Sequence, residues 1–460
     1  MTHRIEHDSL GNIEVPSDCL WGAQTQRSLN NFKIGSQLMP FQVIESLAII
    51  KKASAIANNS MNLLSEEKKN LIIQVCDEII AGKHMAEFPL SVWQTGSGTQ
   101  TNMNLNEVIS NRAQELSEIS STEKGKKLHP NDDVNMSQSS NDVFPAAMHI
   151  AAYTVLVNTT LPGLKQLAAS LKKISNQHKR AVKVGRTHWM DATPITVGQE
   201  FSGYVALIES AAGRIKNAAS RLLFLPLGAT AVGTGLNAPK GFDAKVCSEI
   251  ATLTGFPFKP SRNKFEALSA HDALVEVHAA LKQAAVSITK IANDIRYMAS
   301  GPRCGLNELL LPENEPGSSI MPGKVNPTQV EAIGMVCCQI MGNDTVVTVA
   351  AMQGSFELNV YKPVIIRNTL ESAVLLGDSC RSFAMHCVDG IRVNNDKLKY
   401  YLSQTLMLNT ALSKVIGYEK AAQIAQIAMR ENLGLKDAAI KSGYVSEADY
   451  NRFVDVNKMI

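Results

Sequence analysis

The sequence is poor in several features that mark particular classes of protein. Aromatic residues make up only 5% of its 460 residues, and its eight cysteines include no Cys-x-x-Cys pair. Cys337 and Cys338 are adjacent in a stretch predicted to be helical, where a disulfide between them would be strained. We therefore disfavour a structural zinc or a cysteine-ligated iron–sulfur cluster, and interpret the cysteines as reduced, small core residues.

The chain also lacks the charge and hydropathy patterns of nucleic-acid and membrane proteins. Its 45 Lys and Arg residues against 42 Asp and Glu residues leave a net charge of +3, too balanced to indicate a polyanionic partner. We find no apolar run of the ~18 residues that cross a bilayer, and no secretory signal after Met1. Apolar residues make up 45% of the chain, which is too large a share for a disordered protein. We expect a soluble, cytoplasmic protein that binds neither nucleic acid nor membrane.

Long stretches with apolar residues three and four positions apart dominate the middle of the chain. They run from Val143 to about residue 171, from Phe201 to about 222, and from Ala267 to about 295. This spacing is typical of long helices packed at shallow angles, and Pro162 is expected to kink the first. Two further helices are predicted over 327–352 and 361–388. The sequence therefore predicts a mainly all-α fold, a long-helix bundle.

Breaks in this pattern divide the chain into three predicted domains. Residues 1–138 form a mostly helical N-terminal domain that opens with an irregular arm and a weak hairpin signal. Residues 139–390 form the central bundle, and residues 391–460 a small C-terminal helical domain. The apolar stripe of the 267–295 helix is too wide for one side of a helix. A single bundle of about five helices cannot bury it, so we expect bundles of several subunits to pack together.

Four polar segments rich in glycine or proline precede the long helices, at 95–104, 129–142, 185–194 and 315–327. Glycines allow close backbone approach, and a helix start offers unpaired N–H groups to an anion. Taken singly, a capped glycine loop explains the first segment, and a turn histidine explains His129 equally well. The third segment reads as a loop in which Thr193 and Pro194 start the next helix, and a lone His188 there is a weak signal.

The fourth segment, Gly317–Pro327, is better explained by function than by structure. It combines glycine N–H groups with the hydroxyls of Ser318 and Ser319 and with Lys324. Such a loop can hold a carboxylate and stabilise a neighbouring oxyanion. Asn326, Pro327 and Gln329 are predicted to be the N-cap, N1 and N3 of the helix that follows.

Together the four segments resemble the fumarase/aspartase superfamily of lyases, whose signature is GSSIMPGKVNP. QTGSGTQTNMN, HPNDDVNMSQSSND and GRTHWMDATP are similar to class II fumarases, the iron-independent fumarate hydratases, and the resemblance covers essentially the whole chain. Four positions distinguish this chain from aspartate ammonia-lyases. Those enzymes typically carry Gln in place of His188, Thr in place of Ser140, and Ala in place of both Gly323 and Ser97. Met136, where many relatives have lysine, is a departure that affects local charge.

The resemblance implies reversible anti hydration of fumarate to L-malate, a reaction of the tricarboxylic acid cycle, through an aci-carboxylate intermediate. It implies Ser318 as the base that takes the carbon proton, Lys324 as a stabilising cation, and His188 as the acid, directly or through a water, oriented by Glu331. No metal and no organic cofactor is implied. The implied substrate-binding residues are Ser97, Thr99, Ser139, Ser140, Asn141, Thr187, Ser319, Lys324 and Asn326, and a secondary dicarboxylate site is implied at His129, Asn131 and Asp132.

The spacing of these segments indicates a site shared between subunits. The helix from Val143, about 37 residues at ~1.5 Å each, is roughly 50 Å long. Segment 139–142 stands at its start, and segment 185–194 follows its end. If successive long helices run antiparallel, segment 317–327 also lies at the end of the bundle opposite to segment 139–142. Antiparallel helices of neighbouring subunits then bring the segments together. The resemblance implies a homotetramer with a twenty-helix core and sites built from three chains.

Other interpretations stay open at the sequence level. Within the superfamily, the chain could be an aspartate ammonia-lyase or a lyase that eliminates fumarate from a larger substrate. It could also be a structural homologue without activity, although Ser318, His188 and Lys324 are all retained.

Overall fold

The computed structural model describes residues 2–118 and 128–460, and it confirms the prediction of a mainly α-helical protein. In the described part, strands occur only in two-stranded sheets: β1 with β2, β3 with β4 and β7 with β8 are antiparallel, and β5 with β6 is parallel. The strands are β1 His3–Asp8, β2 Gly11–Pro16, β3 Val182–Thr187, β4 Met190–Thr196, β5 Phe224–Leu225, β6 Lys259–Pro260, β7 Leu309–Leu310 and β8 Arg392–Val393. The helices are α1 Ala23–Asn31, α2 Phe41–Ser60, α3 Glu66–Ile80, α4 Thr99–Glu118, α5 Ser140–Val155, α6 Leu161–Gln177, α7 Val197–Ala219, α8 Phe242–Thr254, α9 Lys264–Ser269, α10 Asp272–Met298, α11 Thr328–Ala351, α12 Lys362–His386, α13 Asn395–Gln404, α14 Asn409–Ile416, α15 Tyr418–Glu431, α16 Leu435–Lys441 and α17 Glu447–Phe453.

The first of two compact units comprises Met1–Pro162, Gly213–Gln283 and Cys338–Gly377. Its centre is α2, which packs against α3, α4, α5 and α8. Alanine and serine alternate with larger apolar residues along α2, and most of the helix is buried. Small side chains let neighbouring helices approach closely, so α2 can be covered on several sides.

The second unit comprises Gly163–Ala212, Ala284–Cys337 and Asp378–Ile460. It contains the β3–β4 hairpin, against which α13 packs. The helices α14 to α17 bury an apolar cluster of their own, which includes Leu412, Ile424, Ala438 and Tyr450. The proposed domain boundaries at 138/139 and 390/391 stay predictions.

The Val143 pattern forms a continuous helical run rather than one regular helix. A π-helical turn, Leu156–Thr160, connects α5 to α6. Pro162 is the second residue of α6. Proline lacks the N–H that a regular helix would use, and a wider turn directly before it accommodates this loss.

The pattern starting at Ala267 was expected to be one helix, and this was wrong at its beginning. Ala267 lies in α9, whose N-cap is Asn263, and α10 begins only at Asp272. Ala270 between them is extended, with φ −128° and ψ 158°. The apolar spacing crosses this break because Leu268 of α9 is buried, as are Leu274 and Val277 of α10. The two later helices, α11 and α12, lie close to the predicted ranges.

The expectation that no apolar stretch could cross a bilayer was wrong for α11. By length and composition alone, this helix is long and apolar enough to do so. Core helices of water-soluble proteins pass the same test. One side of α11 is buried, through residues such as Ile333, Ile340 and Val347. Met335, on another side, is 69% exposed, and Val349 is 49% exposed. The helix therefore has an apolar face that the described residues of this chain do not cover.

Candidate active site

The first two polar segments meet through a chain of hydroxyl groups. Ser97 Oγ lies 2.8 Å from Thr99 Oγ1, which lies 2.8 Å from Ser140 Oγ. Thr99 begins α4, and Ser140 begins α5. Two helix starts therefore present their hydroxyls side by side.

Two glycines permit this approach. A Cβ on Gly96 would lie 1.3 Å from the Val360 carbonyl oxygen, and a Cβ on Gly98 would lie 2.3 Å from the Phe144 ring. Gly98 also has a φ of +79°, a region that favours glycine. The glycines of the first segment are therefore required by packing, whether or not a ligand also uses them.

The second segment is held by a capping box. Ser139 is the N-cap of α5, and its Oγ accepts a hydrogen bond from Asn141 N at 3.2 Å. Asp142 Oδ1 accepts from Ser139 N at 2.9 Å. The other oxygen of Asp142 accepts from the backbone N–H groups of Gly228 and Thr230. Burial raises the pKa of this carboxyl to about 6.

The loop 228–231 is a part of this region that the sequence analysis missed. It contacts the second segment through Asp142 and through Asn141, whose Nδ2 donates to the Ala231 carbonyl at 2.9 Å. The glycine-rich run LGATAVGTG was the available signal. It lies more than 80 residues downstream, so nothing in its spacing linked it to Ser139.

A buried lysine was also missed. Lys51 on α2 is fully buried, and its Nζ donates to Asn135 Oδ1 at 2.8 Å and to Gln138 Oε1 at 3.1 Å. Burial lowers its pKa to about 7, and the charge of Asp142 opposes that shift. Lys51 therefore anchors the residues that lead into Ser139.

The candidate secondary site at 129–132 folds as a capped turn. His129 is the N-cap of a π-helical turn, Pro130–Val134, and its Nδ1 accepts from the N–H groups of Asn131 and Asp132. The Asp132 carboxylate also lies 3.2 Å from His129 Nδ1. The side chains are exposed, at 53% for His129 and 82% for Asp132.

The third segment is a hairpin rather than the predicted loop. Thr187 ends β3 and Met190 begins β4, and the turn residues His188 and Trp189 have φ values of +55° and +65°. Thr193 and Pro194 lie within β4, so they do not start α7. Thr196 has that role instead, because its Oγ1 accepts from Gln199 N while Gln199 Oε1 accepts from Thr196 N.

The hairpin presents His188 to solvent above a network of buried charges. Glu308 is 1% exposed and pairs with Lys183 at 3.0 Å and with Arg186 at 2.9 Å. Trp189 packs edge-on against Tyr297, with 4.5 Å between ring centroids. A cavity of about 350 Å³ opens beside His188 and these charged residues. These ion pairs hold β3, the strand that ends at Thr187, and so fix the position of the His188–Trp189 turn that follows it.

The fourth segment closes on itself around Gly317. Gly317 N donates to the Lys324 carbonyl at 3.0 Å, and Asn326 Nδ2 donates to the Gly317 carbonyl at 2.5 Å. Lys324 Nζ donates to Asn326 Oδ1 at 2.8 Å. Asn326 therefore clamps the loop, and the prediction that it caps α11 was wrong. The helix begins at Thr328, and Gln329 Oε1 accepts from Ser382 Oγ instead of completing a capping box.

Within this loop the Ser318 hydroxyl is bonded to the backbone that follows it. Its Oγ accepts from the backbone N–H of Met321 at 2.9 Å and from that of Ile320 at 3.3 Å. Both bonds place positive hydrogen atoms on the oxygen, an arrangement that favours the deprotonated form. Gly323 with φ +79° makes the turn that brings the loop back to Lys324.

The structure brings together only some of the predicted residues. In the second unit, the described hydrogen bonds and ion pairs link neither His188 nor Glu331 to Ser318. Ser319, Lys324 and Glu331 are exposed on that unit. Among the described residues there is also no group of three or more His, Cys, Asp or Glu side chains placed to hold a metal ion.

Comparisons with known proteins identify the family. A lyase family profile matches residues 11–342, and a profile of the fumarase C C-terminus matches residues 408–460. The chain is 54% identical to the class II fumarate hydratase of Nitrosomonas europaea, over 99% of both chains. It is 55% identical to that of Pasteurella multocida, over 100% of this chain and 99% of the other.

Solved structures agree with the sequence comparison. A class II fumarase from Schistosoma mansoni superposes with a TM-score of 0.97 at 43% identity, covering 100% of this chain and 99% of the other. A fumarate lyase:delta crystallin from Brucella melitensis bound to cobalt gives a TM-score of 0.94 at 38% identity with the same coverage. The resemblance stated from the four motifs is thus confirmed: this chain belongs to the class II fumarate hydratases, hydro-lyases of the fumarase/aspartase superfamily.

Proposed function

We propose that this chain catalyses the reversible anti hydration of fumarate to L-malate with Ser318 as base and His188 as acid. The observation that carries the proposal is the Ser318 hydroxyl, which accepts two backbone N–H groups within a loop that also holds Lys324. In metabolism the reaction is a step of the tricarboxylic acid cycle, and its substrates are water-soluble, which suits the cytoplasmic location that we propose.

In the malate direction the difficult step is removal of a weakly acidic C3 proton next to a carboxylate. Serine is a poor base at its ordinary pKa, so its alkoxide needs nearby positive charge. The N–H groups of Ile320 and Met321 supply part of it, and we assign the rest to the ammonium of Lys324 in the same loop. The same loop stabilises the second negative charge that develops on the carboxylate as the aci-carboxylate forms.

The departing hydroxyl needs a proton on the opposite face of the substrate. Histidine can exchange a proton near neutral pH, and the hairpin turn presents His188 to solvent. Glu331, in the first turn of α11, is our proposed partner that orients and charges the imidazole. Anti addition requires base and acid on opposite faces, so the two groups need not contact each other.

The remaining polar residues are proposed to bind the two carboxylates of the substrate. Hydroxyls, amides and helix-start N–H groups suit carboxylate oxygens because each donates a directed hydrogen bond. The proton transfers need no cofactor. The proposed substrate-binding residues are Ser97, Thr99, Ser139, Ser140, Asn141, Thr187, Ser319, Lys324 and Asn326. We keep His129, Asn131 and Asp132 as a proposed secondary dicarboxylate site, where the N–H groups of Asn131 and Asp132 now bond to His129.

We further propose a homotetramer with sites shared between subunits. The uncovered apolar face of α11, with Met335 and Val349, supports association through the long helices. Val286 on α10 is also 55% exposed. The helical run of α5 and α6 separates Ser140 from the hairpin along the chain, which supports a contribution of each segment from a different subunit.

A substrate comparison tests the reaction. We expect purified protein to produce fumarate from L-malate, followed by its ultraviolet absorbance, and to produce none from L-aspartate. Hydration and ammonia elimination share the carbanion step, so only the leaving group distinguishes the two activities. Fumarate formed from aspartate alone would contradict the proposal and favour an ammonia-lyase.

Mixing two variants, one impaired in binding and one in catalysis, tests the shared site at malate concentrations far below KM, where a loss of binding also lowers the rate. When Ser140→Ala and Ser318→Ala chains are coexpressed in equal amounts, random assembly leaves about a quarter of the sites with both serines intact, if the two come from different subunits. We expect recovery of about that fraction of wild-type activity. Each variant purified alone is the control, and a mixture no more active than these would place both serines in one chain.

A further inference from the structure

Asp142 makes the hydrogen bonds that hold the second segment in place, although the mechanism above does not use it. It is fully buried. One carboxylate oxygen accepts from Ser139 N at 2.9 Å, and the other accepts from Gly228 N at 3.0 Å and Thr230 N at 2.9 Å. A single carboxylate thus joins the start of α5 to a loop more than 80 residues away in sequence.

That loop in turn orients a substrate-binding side chain. Asn141 Nδ2 donates to the Ala231 carbonyl at 2.9 Å. Because the partner is a carbonyl oxygen, the Asn141 group that faces it has to be the NH₂. One amide hydrogen is then engaged, and the second is left in a fixed direction for a ligand oxygen. The position of the loop therefore determines where Asn141 points.

The loop holds a conformation that it would not adopt without support. Thr230 has a φ of +53°, which is unfavourable for a β-branched residue. It is 5% exposed, and its hydroxyl is buried without a hydrogen-bond partner among the residues that the structure describes. The N–H of Thr230 is one of the groups bound to Asp142, so the carboxylate stabilises the strained residue directly.

We propose that Asp142 is a positioning residue of the dicarboxylate site, locking Ser139 and the loop 228–231, and through the loop Asn141, in the orientation that grips the substrate. This inference rests on the proposed function. Asp142 itself does not touch substrate, because it is buried and both of its oxygens are engaged. Asparagine could not replace it, since its NH₂ would face N–H donors on one of the two sides.

The chain offers a matched control in Glu107 on α4. Glu107 is 6% exposed, and its carboxylate accepts from the backbone N–H groups of Gly22, Gln24 and Thr25. Burial raises the pKa of Glu107 as it raises that of Asp142. The two carboxylates therefore have the same structural task, but Glu107 holds the start of α1 and not a proposed binding segment.

The experiment compares Asp142→Asn with Glu107→Gln in the full-length protein. We expect both to lower the midpoint of thermal unfolding. Only Asp142→Asn should raise KM for L-malate, by about 10- to 100-fold, with a smaller change in kcat. The inhibition constant of succinate, a dicarboxylate that cannot react, should rise by the same factor, because the loss is in binding. Equal KM and succinate constants in the two variants would overturn the inference.

A second variant decides the matter if Asp142→Asn does not fold. Asp142→Glu keeps a carboxylate that can accept from the same N–H groups, but its extra methylene shifts loop 228–231 relative to Ser139. We expect KM and the succinate constant to rise about threefold or more, whereas the matched Glu107→Asp variant should leave both constants unchanged. Unchanged constants in folded Asp142→Glu protein would refute the inference. A wild-type protein that does not convert malate would instead refute the proposed function.

Discussion

Replacing Ser318 with alanine is expected to reduce kcat for malate dehydration by on the order of 10³-fold or more. The variant lacks the only group that we assign to accept the C3 proton, and neighbouring donors cannot take over this role because they carry hydrogens already. The loop should survive. The N–H groups of Ile320 and Met321, which now donate to Ser318, are on exposed residues where water can accept from them. Stability should change by less than about 1 kcal/mol.

The adjacent Ser319 provides the comparison for this result. Ser319→Ala removes a hydroxyl from the same loop at a residue assigned to binding, so it should raise KM and leave kcat within about tenfold. Steady-state rates and thermal unfolding of both variants measure these effects. Near-normal dehydration by folded Ser318→Ala protein would remove Ser318 from the role of base.

The second large effect is expected from His188→Asn, which should lower kcat by about 10²- to 10³-fold. Asparagine keeps a polar side chain of similar size at the hairpin turn and tolerates the φ of +55° found there. It cannot deliver a proton to the departing hydroxyl. His7, an exposed histidine of β1 that lies 3.0 Å from Asn12, is the matched control. His7→Asn should leave the rate unchanged.

Hydrogen exchange separates the two roles. In deuterated water, His188→Asn should still exchange the C3 hydrogen of malate faster than it forms fumarate, because Ser318 still removes the proton. Ser318→Ala should lose exchange and dehydration together. Proton NMR of malate measures both processes. Exchange that persists in the Ser318 variant and disappears in the His188 variant would reverse the assignment of base and acid.

Local patterns in the sequence predicted the helical architecture well. The spacing of apolar residues located the runs that became α5 to α7 and α10 to α12, because a helix places residues three and four apart on one face. The same reasoning was wrong at Ala270, where one apolar pattern continues across the gap between two helices. The prediction that Asn326 caps α11 was wrong as well, because its Oδ1, the atom that would accept from a helix N–H, accepts from Lys324 Nζ instead.

For the candidate site, the sequence predicts a chemistry, but it does not predict which segments contact each other. Glycine, serine, asparagine and lysine in loops before helices indicated anion binding, because those residue types supply directed donors. Their partners did not follow from spacing: Thr99 meets Ser140 across 41 residues. Lys51 was missed, since a lysine on a helix is usually exposed and only the fold shows that this one is buried.

By itself the sequence determined which segments are helical and to which lyases the chain is similar. Those properties depend on residue type and on neighbours a few positions away. Only the tertiary structure decided that loop 228–231 lies against the start of α5 and that one buried carboxylate, Asp142, holds both. Contacts over such sequence distances depend on how helices pack. Packing reflects the shape of all the side chains between them, which no local pattern contains.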